Sequence, residues 1–317
     1  MQKKLNLLQA FEFSAAHYLR QDGSETSPYG HTFSGWAGVA EPMSHAELQT
    51  NIDAVLQRYT HQTLPESPGP EPTITTVAQT LWDDWRATLP VTLIELTDDD
   101  GLTARITHNQ STLVHPGQFS AAHRTYAPRL TEAENRALYG KCANLHGHNY
   151  RAEVVLPPHA QWPTRLWDEF DHVNLSSDIP DLRGRNVVTE AIAELIARRA
   201  PEAEWVRVWE LPDFFAEYHR ADASYRLGRR YSFRAPHRWA KVEVTVRGEL
   251  DSRTETAYEL GQLDAHCLAA IQKLNYPTGD SAEAIRDLWI RLAERLGASL
   301  TALRWWPTPR QQFSIGE

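Results

Sequence analysis

Several things are scarce in this chain of 317 residues, and each scarcity excludes something. There are two cysteines, Cys142 and Cys267. They cannot build a disulfide framework, so the chain is expected in a reducing compartment such as the cytoplasm. No apolar run approaches the ~18–20 residues of a membrane span. Lys3-Lys4 is followed only by the short Leu5–Leu8, too brief for a signal peptide. Basic residues are outnumbered, 32 Lys and Arg against 41 Asp and Glu, a net charge of −9. That argues against a general nucleic-acid-coating role and leaves room for a local basic pocket for a phosphorylated metabolite. Aromatic residues are plentiful by contrast. Eleven Trp, in a chain that is 41% hydrophobic, imply large aromatic cores or interfaces.

The chain repeats itself. Phe13-Ser14-Ala15-Ala16-His17 recurs letter for letter as Phe119-Ser120-Ala121-Ala122-His123, and more loosely as Phe233-Arg234-Ala235-Pro236-His237. Downstream, Tyr29-Gly30-His31-Thr32-Phe33 matches His146-Gly147-His148-Asn149-Tyr150, and the third copy has no such element. Each copy ends in an amphipathic helix followed by a strand. The helix faces are Ala78/Leu81/Trp82/Trp85, Val188/Ala191/Ile192/Leu195 and Ile285/Leu288/Trp289/Leu292. Pro72-Thr73 and Pro277-Thr278 suit the starts of the first and third.

The expected strands after these helices are 91–96, 206–211 and 300–306, with earlier strands over 151–156 and 241–246. A second helix is expected over about 46–59 in the first copy and 260–274 in the third. Each copy therefore reads as strand, strand, helix, strand, with that extra helix where the copy is full length. Polar runs near 110 and 222 place the boundaries, giving segments 1–110, 111–222 and 223–317.

The middle segment carries the chemistry. His146 and His148 are two apart on one strand and so point to one face, and a hairpin partner can bring His123 to the same place. Three neutral imidazoles with one open position form the catalytic zinc arrangement. Cys142 lies four residues before His146. Beside a metal, its thiol is either an acid–base group of lowered pKa or a fourth ligand that closes the site. Cys267 reads as a core residue.

The Phe119–His123 run, the Cys-x-x-x-His-Gly-His-Asn-Tyr run and Asp171-His172-Val173-Asn174-Leu175 resemble the 6-pyruvoyl-tetrahydropterin synthase family. The spacing of Cys142 to His146 is similar to its bacterial branch, the 6-carboxy-tetrahydropterin synthases of queuosine biosynthesis. The resemblance implies an α+β fold. Three tandem T-fold units, each an antiparallel sheet with helices on one face, would form an intrachain pseudo-trimer barrel in which only the middle unit is complete.

It also implies that His123, His146 and His148 bind Zn(2+), that Cys142 is the proton-abstracting thiolate, and that Asp171 and His172 are a protonating dyad. Glu210, Thr189 and Glu190 would hold the pterin. Arg124 and Lys141, which flank the motif, are plausible triphosphate contacts. The implied substrate is 7,8-dihydroneopterin triphosphate and the implied assembly is a homodimer of pseudo-trimers, with no nucleic acid or membrane partner.

In the first copy the ligand positions read His17, Tyr29 and His31, the Asp-His pair becomes Thr60-His61, and Glu95 is matched to Glu210. In the third, Trp305 replaces the glutamate, which suggests an architectural role. Two other readings stay open: a non-catalytic pterin- or purine-binding protein, and a structural partner of a pterin enzyme.

Overall fold

Period-two burial runs through the repeated motifs and makes them long strands. The computed structural model describes residues 3–17, 20–21, 24–25, 29–40, 42–64, 74–235, 238–274 and 281–316. His237, Pro72-Thr73 and Pro277-Thr278 lie outside them, as do the side chains of His17 and Tyr29. Two compact units are present. One comprises Met1–His115, His237–Ala240 and Arg304–Gly316, and the other Pro116–Pro236 and Lys241–Leu303.

The first unit begins with β1 (Leu5–His17), the short pair β2 (Arg20–Gln21) and β3 (Ser24–Glu25), and β4 (Tyr29–Ala40). Then come α1 (His45–Leu56), α2 (Ile74–Arg86), β5 (Val91–Thr97) and β6 (Thr103–Thr107). Ser44 and Glu47 form a capping box that starts α1, each satisfying the other's backbone N–H. The helix stops at Leu56, short of the expected 59, because the N–H groups of Arg58 and Tyr59 tighten to the carbonyls three residues back. The expected stripe of α2 is buried throughout, with Ala78, Leu81 and Trp85 at 0% exposure.

The second unit contains β7 (Ser111–His123) from Pro116 onward, α3 (Glu132–Tyr139), β8 (His146–Leu156), β9 (Val173–Asn174), α4 (Thr189–Arg199), β10 (Trp205–Leu211) and β11 (Phe214–His219). It continues with β12 (Ser224–Ala235), β13 (Arg238–Gly248) from Lys241 onward, α5 (Leu260–Ile271), α6 (Ser281–Leu296) and the start of β14 (Leu300–Thr308), after which β15 (Gln311–Gly316) belongs to the first unit. In the first unit the sheet order is β6-β5-β4-β1-β15, and in the second β13-β12-β11-β10-β8-β7-β9. β1 pairs antiparallel with β4 and β15, β4 with β5, β5 with β6, β10 with β8 and β11, and β11 with β12, whereas β9 adds in parallel to Ala121–Ala122 of β7.

Sequence periodicity misses three features. A further strand (β6, β11, β15) follows the last strand expected in each copy, as the return arm of a short hairpin. The α3 helix carries its own capping box, Thr131 with Glu134, a Thr-x-x-Glu signal that is legible in the sequence. The expected 260–274 helix ends at Ile271.

In the second unit, Phe119, Ala121, Tyr150, Ala152, Val154, Val206 and Val208 present one sheet face to α4, whose residues Thr189–Ala197 are all buried. Burial of each large side chain there contributes roughly 1.5–3 kcal/mol. Phe119 stacks on Tyr150 with centroids 4.9 Å apart, and Trp167 lies parallel at 6.0 Å. Gly117 makes room for that indole, since a Cβ there would sit 2.0 Å from Trp167 Cζ2. No helix among the described residues is long and apolar enough to cross a membrane.

Candidate metal centre

β7 and β8 are sheet neighbours, and alternation puts Phe119, Ala121 and His123 of one on the same face as His146, His148 and Tyr150 of the other. The three imidazoles converge, with ring centroids 4.5, 5.2 and 5.0 Å apart. Gly147 lets the strands approach: a Cβ on it would stand 3.2 Å from Ala121 O. β10 brings Glu210 to the same point. One ligand atom from each of His123, His146, His148 and Glu210 lies within 4.8 Å of the others, the one such group found among the described residues. Cys142 is outside it.

Hydrogen bonds fix how the rings face. His123 Nδ1 is 2.8 Å from Val187 O and His146 Nδ1 is 2.9 Å from Asn144 O. A carbonyl only accepts, so both Nδ1 atoms carry the proton and both Nε2 atoms present a lone pair. Nε2 of all three histidines is buried with no hydrogen-bond partner. Three orphaned imidazole nitrogens around one point fit a divalent metal, because unpaired buried polar atoms are costly unless something binds them. His148 Nε2 stands 3.4 Å from Glu210 Oε1, and Glu210 Oε2 accepts from the Thr189 hydroxyl at 2.6 Å. Burial pushes His123 and His148 below the usual histidine range, against the opposing pull of Glu210. The neutral form that a metal needs is therefore favoured.

The remaining expected site residues divide between the cluster and its margins. Cys142 sits half-buried in the 3₁₀ turn Gly140–Ala143, pinned where its carbonyl accepts the Thr125 N–H at 3.0 Å, two residues beyond His123. Thr189 begins α4 beside Glu210. Arg124 donates to Ala143 O at 2.7 Å and its guanidinium lies 3.7 Å from the centre of the Tyr126 ring, while Lys141 is exposed. Glu190, expected at substrate, is instead 2% exposed and accepts the Ala257 N–H at 2.9 Å. Burial raises its pKa to about 7.

Asp171 and His172 do not join the cluster. They sit at the edge of β7, where Asp171 Oδ1 accepts the Ser120 N–H at 2.8 Å and Asp171 Oδ2 holds His172 Nδ1 at 2.7 Å. The Ser120 N–H, with His172 adding to it, holds the Asp171 carboxyl below the usual range. Ser120 is three residues from His123, about 10 Å along a strand. The His172 side chain is 82% exposed, and its backbone has a positive φ of 58°.

The first unit keeps this frame with a different residue in place of the acid. His61 has φ 57° and donates its N–H to Ser14 O at 2.7 Å, as His172 does to Ser120 O at 2.7 Å. Ser14 Oγ pairs with Thr32 Oγ1 as Ser120 Oγ pairs with Asn149 Oδ1, both at 2.9 Å. The acid has become Thr60, whose hydroxyl turns back to Leu56 O.

The match of Glu95 to Glu210 is corrected by strand register. Leu96 pairs with Gly35 where Val208 pairs with Ala152, so Glu95 stands at the place of Arg207 and is bound by Arg105 at 2.8 Å. Asp98 falls where Glu210 would be, and its neighbour Asp99 holds His31 Nδ1 at 2.7 Å. The error arises because the motif Ile-Glu-Leu resembles Trp-Glu-Leu, whereas pairing follows the partner strand.

Residues 112–221 match the family described as 6-pyruvoyl tetrahydropterin synthase. The 6-pyruvoyl tetrahydrobiopterin synthase of Dictyostelium discoideum is 34% identical over 93 residues, covering 25% of this chain and 69% of that protein. The chain belongs to the 6-pyruvoyl tetrahydropterin synthase family. The human 6-pyruvoyl tetrahydrobiopterin synthase is 30% identical over 95 residues, with 25% of this chain and 66% of that protein covered. The chain thus spans about two thirds of the length of these curated relatives. A solved structure of 6-pyruvoyl tetrahydropterin synthase from Caenorhabditis elegans aligns over 34% of this chain and 94% of its own, at 26% identity and a TM-score of 0.31. Antiparallel strands with helices packed on one face agree with the T-fold of this family.

Proposed function

We propose that this chain is a zinc-dependent, pterin-synthesising lyase of the 6-carboxy-tetrahydropterin synthase type, acting on 7,8-dihydroneopterin triphosphate. The observation that carries the reading is the convergence of the three orphaned Nε2 atoms of His123, His146 and His148 in the segment that matches the family. Zinc bound there would polarise the hydroxyls of the substrate side chain and acidify a neighbouring C–H. His123, His146 and His148 hold the metal. Cys142 takes and returns protons as a thiolate, and Asp171 with His172 supplies the opposing proton. Glu210 accepts the paired N–H groups of the pterin ring, steadied by the Thr189 hydroxyl. Arg124 and Lys141, at the rim, attract the triphosphate.

The same reading takes the chain as three tandem T-fold units, 1–110, 111–222 and 223–317, that form a pseudo-trimer. The order strand, strand, helices, strand, strand around α1–α2, α4 and α5–α6 supports it. Asp171 and His172 stand at an exposed edge away from their own cluster, which favours a homodimer in which each dyad serves the partner's zinc. If no partner does so, the same separation favours the second reading, a non-catalytic pterin-binding protein. The deciding experiment incubates purified protein with 7,8-dihydroneopterin triphosphate, separates the products and measures zinc in parallel. A 6-carboxy product with about one zinc per chain is expected. Metal-loaded protein that binds substrate without turnover overturns the enzymatic reading.

A further inference from the structure

The segment that joins β13 to α5 carries none of the motif residues, yet it is tied to the metal centre's surroundings at five places. Arg129 donates to Ser252 O, and Arg253 pairs with Glu134 of α3 at 2.8 Å. Asn186 Nδ2 donates to Thr254 O at 2.6 Å and also lies 2.9 Å from Tyr139 OH. Arg185 meets Glu255 at 3.2 Å, and Ala257 N–H donates to Glu190 Oε1 at 2.9 Å. Asp251 stiffens the loop from within by accepting the N–H groups of Arg253 and Thr254 at 2.9 and 2.8 Å.

Three of the five anchors on the other side, Arg185, Asn186 and Glu190, fall in one short strip, 185–190. The same strip sets the metal centre. Val187 O orients His123, and the Thr189 hydroxyl holds Glu210. Asn186 and Glu190 therefore face the loop while the Val187 carbonyl and the Thr189 hydroxyl face the cluster. Asn186 is 0% and Glu190 2% exposed, so neither bond is a casual surface contact.

We infer that the loop 251–257 is a clamp that positions residues 186–190, and through them His123 and Glu210, with Glu190 acting as a positioning residue and not as a contact to substrate. Without the Glu190 carboxylate the Ala257 N–H would be a buried donor with no acceptor, which is expensive. The strip would shift to relieve it, and the Val187 carbonyl would move off His123. Loss of such an outer partner typically weakens metal affinity about 10–100-fold. The part concerning substrate rests on the proposed function, whereas the part concerning metal does not.

The test uses the full chain, with Co2+ and 7,8-dihydroneopterin as probes. Three quantities are read: cobalt affinity from its visible absorption, pterin affinity by fluorescence, and amide exchange across 251–257. Glu190→Gln keeps an acceptor for the Ala257 N–H and should leave all three near the parent values. Glu190→Ala should speed exchange in the loop and weaken cobalt binding about 10–100-fold. Should Glu190→Ala not fold, the double variant Arg253→Ala, Glu255→Ala, at one exposed and one half-buried loop position, spares the core and should move exchange and cobalt affinity the same way. Loss of pterin binding in Glu190→Gln, with exchange and cobalt affinity unchanged, makes Glu190 a substrate contact and overturns the inference. Unchanged cobalt affinity in a variant whose loop exchanges freely overturns it as well. If the parent takes cobalt but no dihydroneopterin, the proposed function fails while the exchange and cobalt measurements still decide the clamp.

Discussion

Val187 O lies 2.8 Å from His123 Nδ1, and this contact decides which nitrogen of a fully buried ring is left for a metal. The carbonyl comes from the residue just before the α4 N-cap, Val188. Helix placement therefore sets the tautomer of a strand residue 64 positions away.

His148→Ala should remove most of the bound metal, because two imidazoles seldom retain zinc firmly. Elemental analysis of purified parent and variant checks it. Full occupancy in the variant, or metal held instead through His31 of the first unit, would contradict the assignment.

Cys142 lies outside the four-residue cluster, so its loss should spare the metal. Cys142→Ala should keep zinc and pterin binding while turnover falls ~10²–10⁴-fold, the scale of general acid–base catalysis. A metal-free variant would instead make the thiol a ligand.

Mixing Cys142→Ala chains with Asp171→Ala chains distinguishes shared from self-contained sites. If the dyad serves the partner's zinc, the mixed dimer has one site with both residues intact and recovers activity. Self-contained sites stay inactive at every ratio, and a strictly monomeric protein excludes sharing outright.

His45 should make stability depend on pH. Burial pushes its pKa down to about 4 from 6.5, and its ring meets Phe313 edge-on at 4.8 Å. The unfolded chain binds the proton more readily, so this contribution is complete above pH 6.5 and is lost as pH falls toward about 4. Its position at the first residue of α1, where the helix dipole also opposes a cation, acts in the same direction. Urea midpoints near neutrality and near about pH 5 should differ less for His45→Phe than for the parent. An equal pH dependence in both proteins would remove His45 as the cause.

The sequence by itself determined the strands that carry the motifs, the buried faces of α2, α4 and α6, and the shared face of His146 and His148. Each of these follows from a local period or a repeated word, and a period of two leaves His146 and His148 no choice of side. Tertiary structure alone decided which residues stand opposite one another. Register moved Glu95 to the place of Arg207, and folding buried Glu190 against an amide 67 residues on and set Asp171 on the edge of β7. Such pairings depend on where a partner strand or a distant loop comes to rest, and no short-range pattern encodes that.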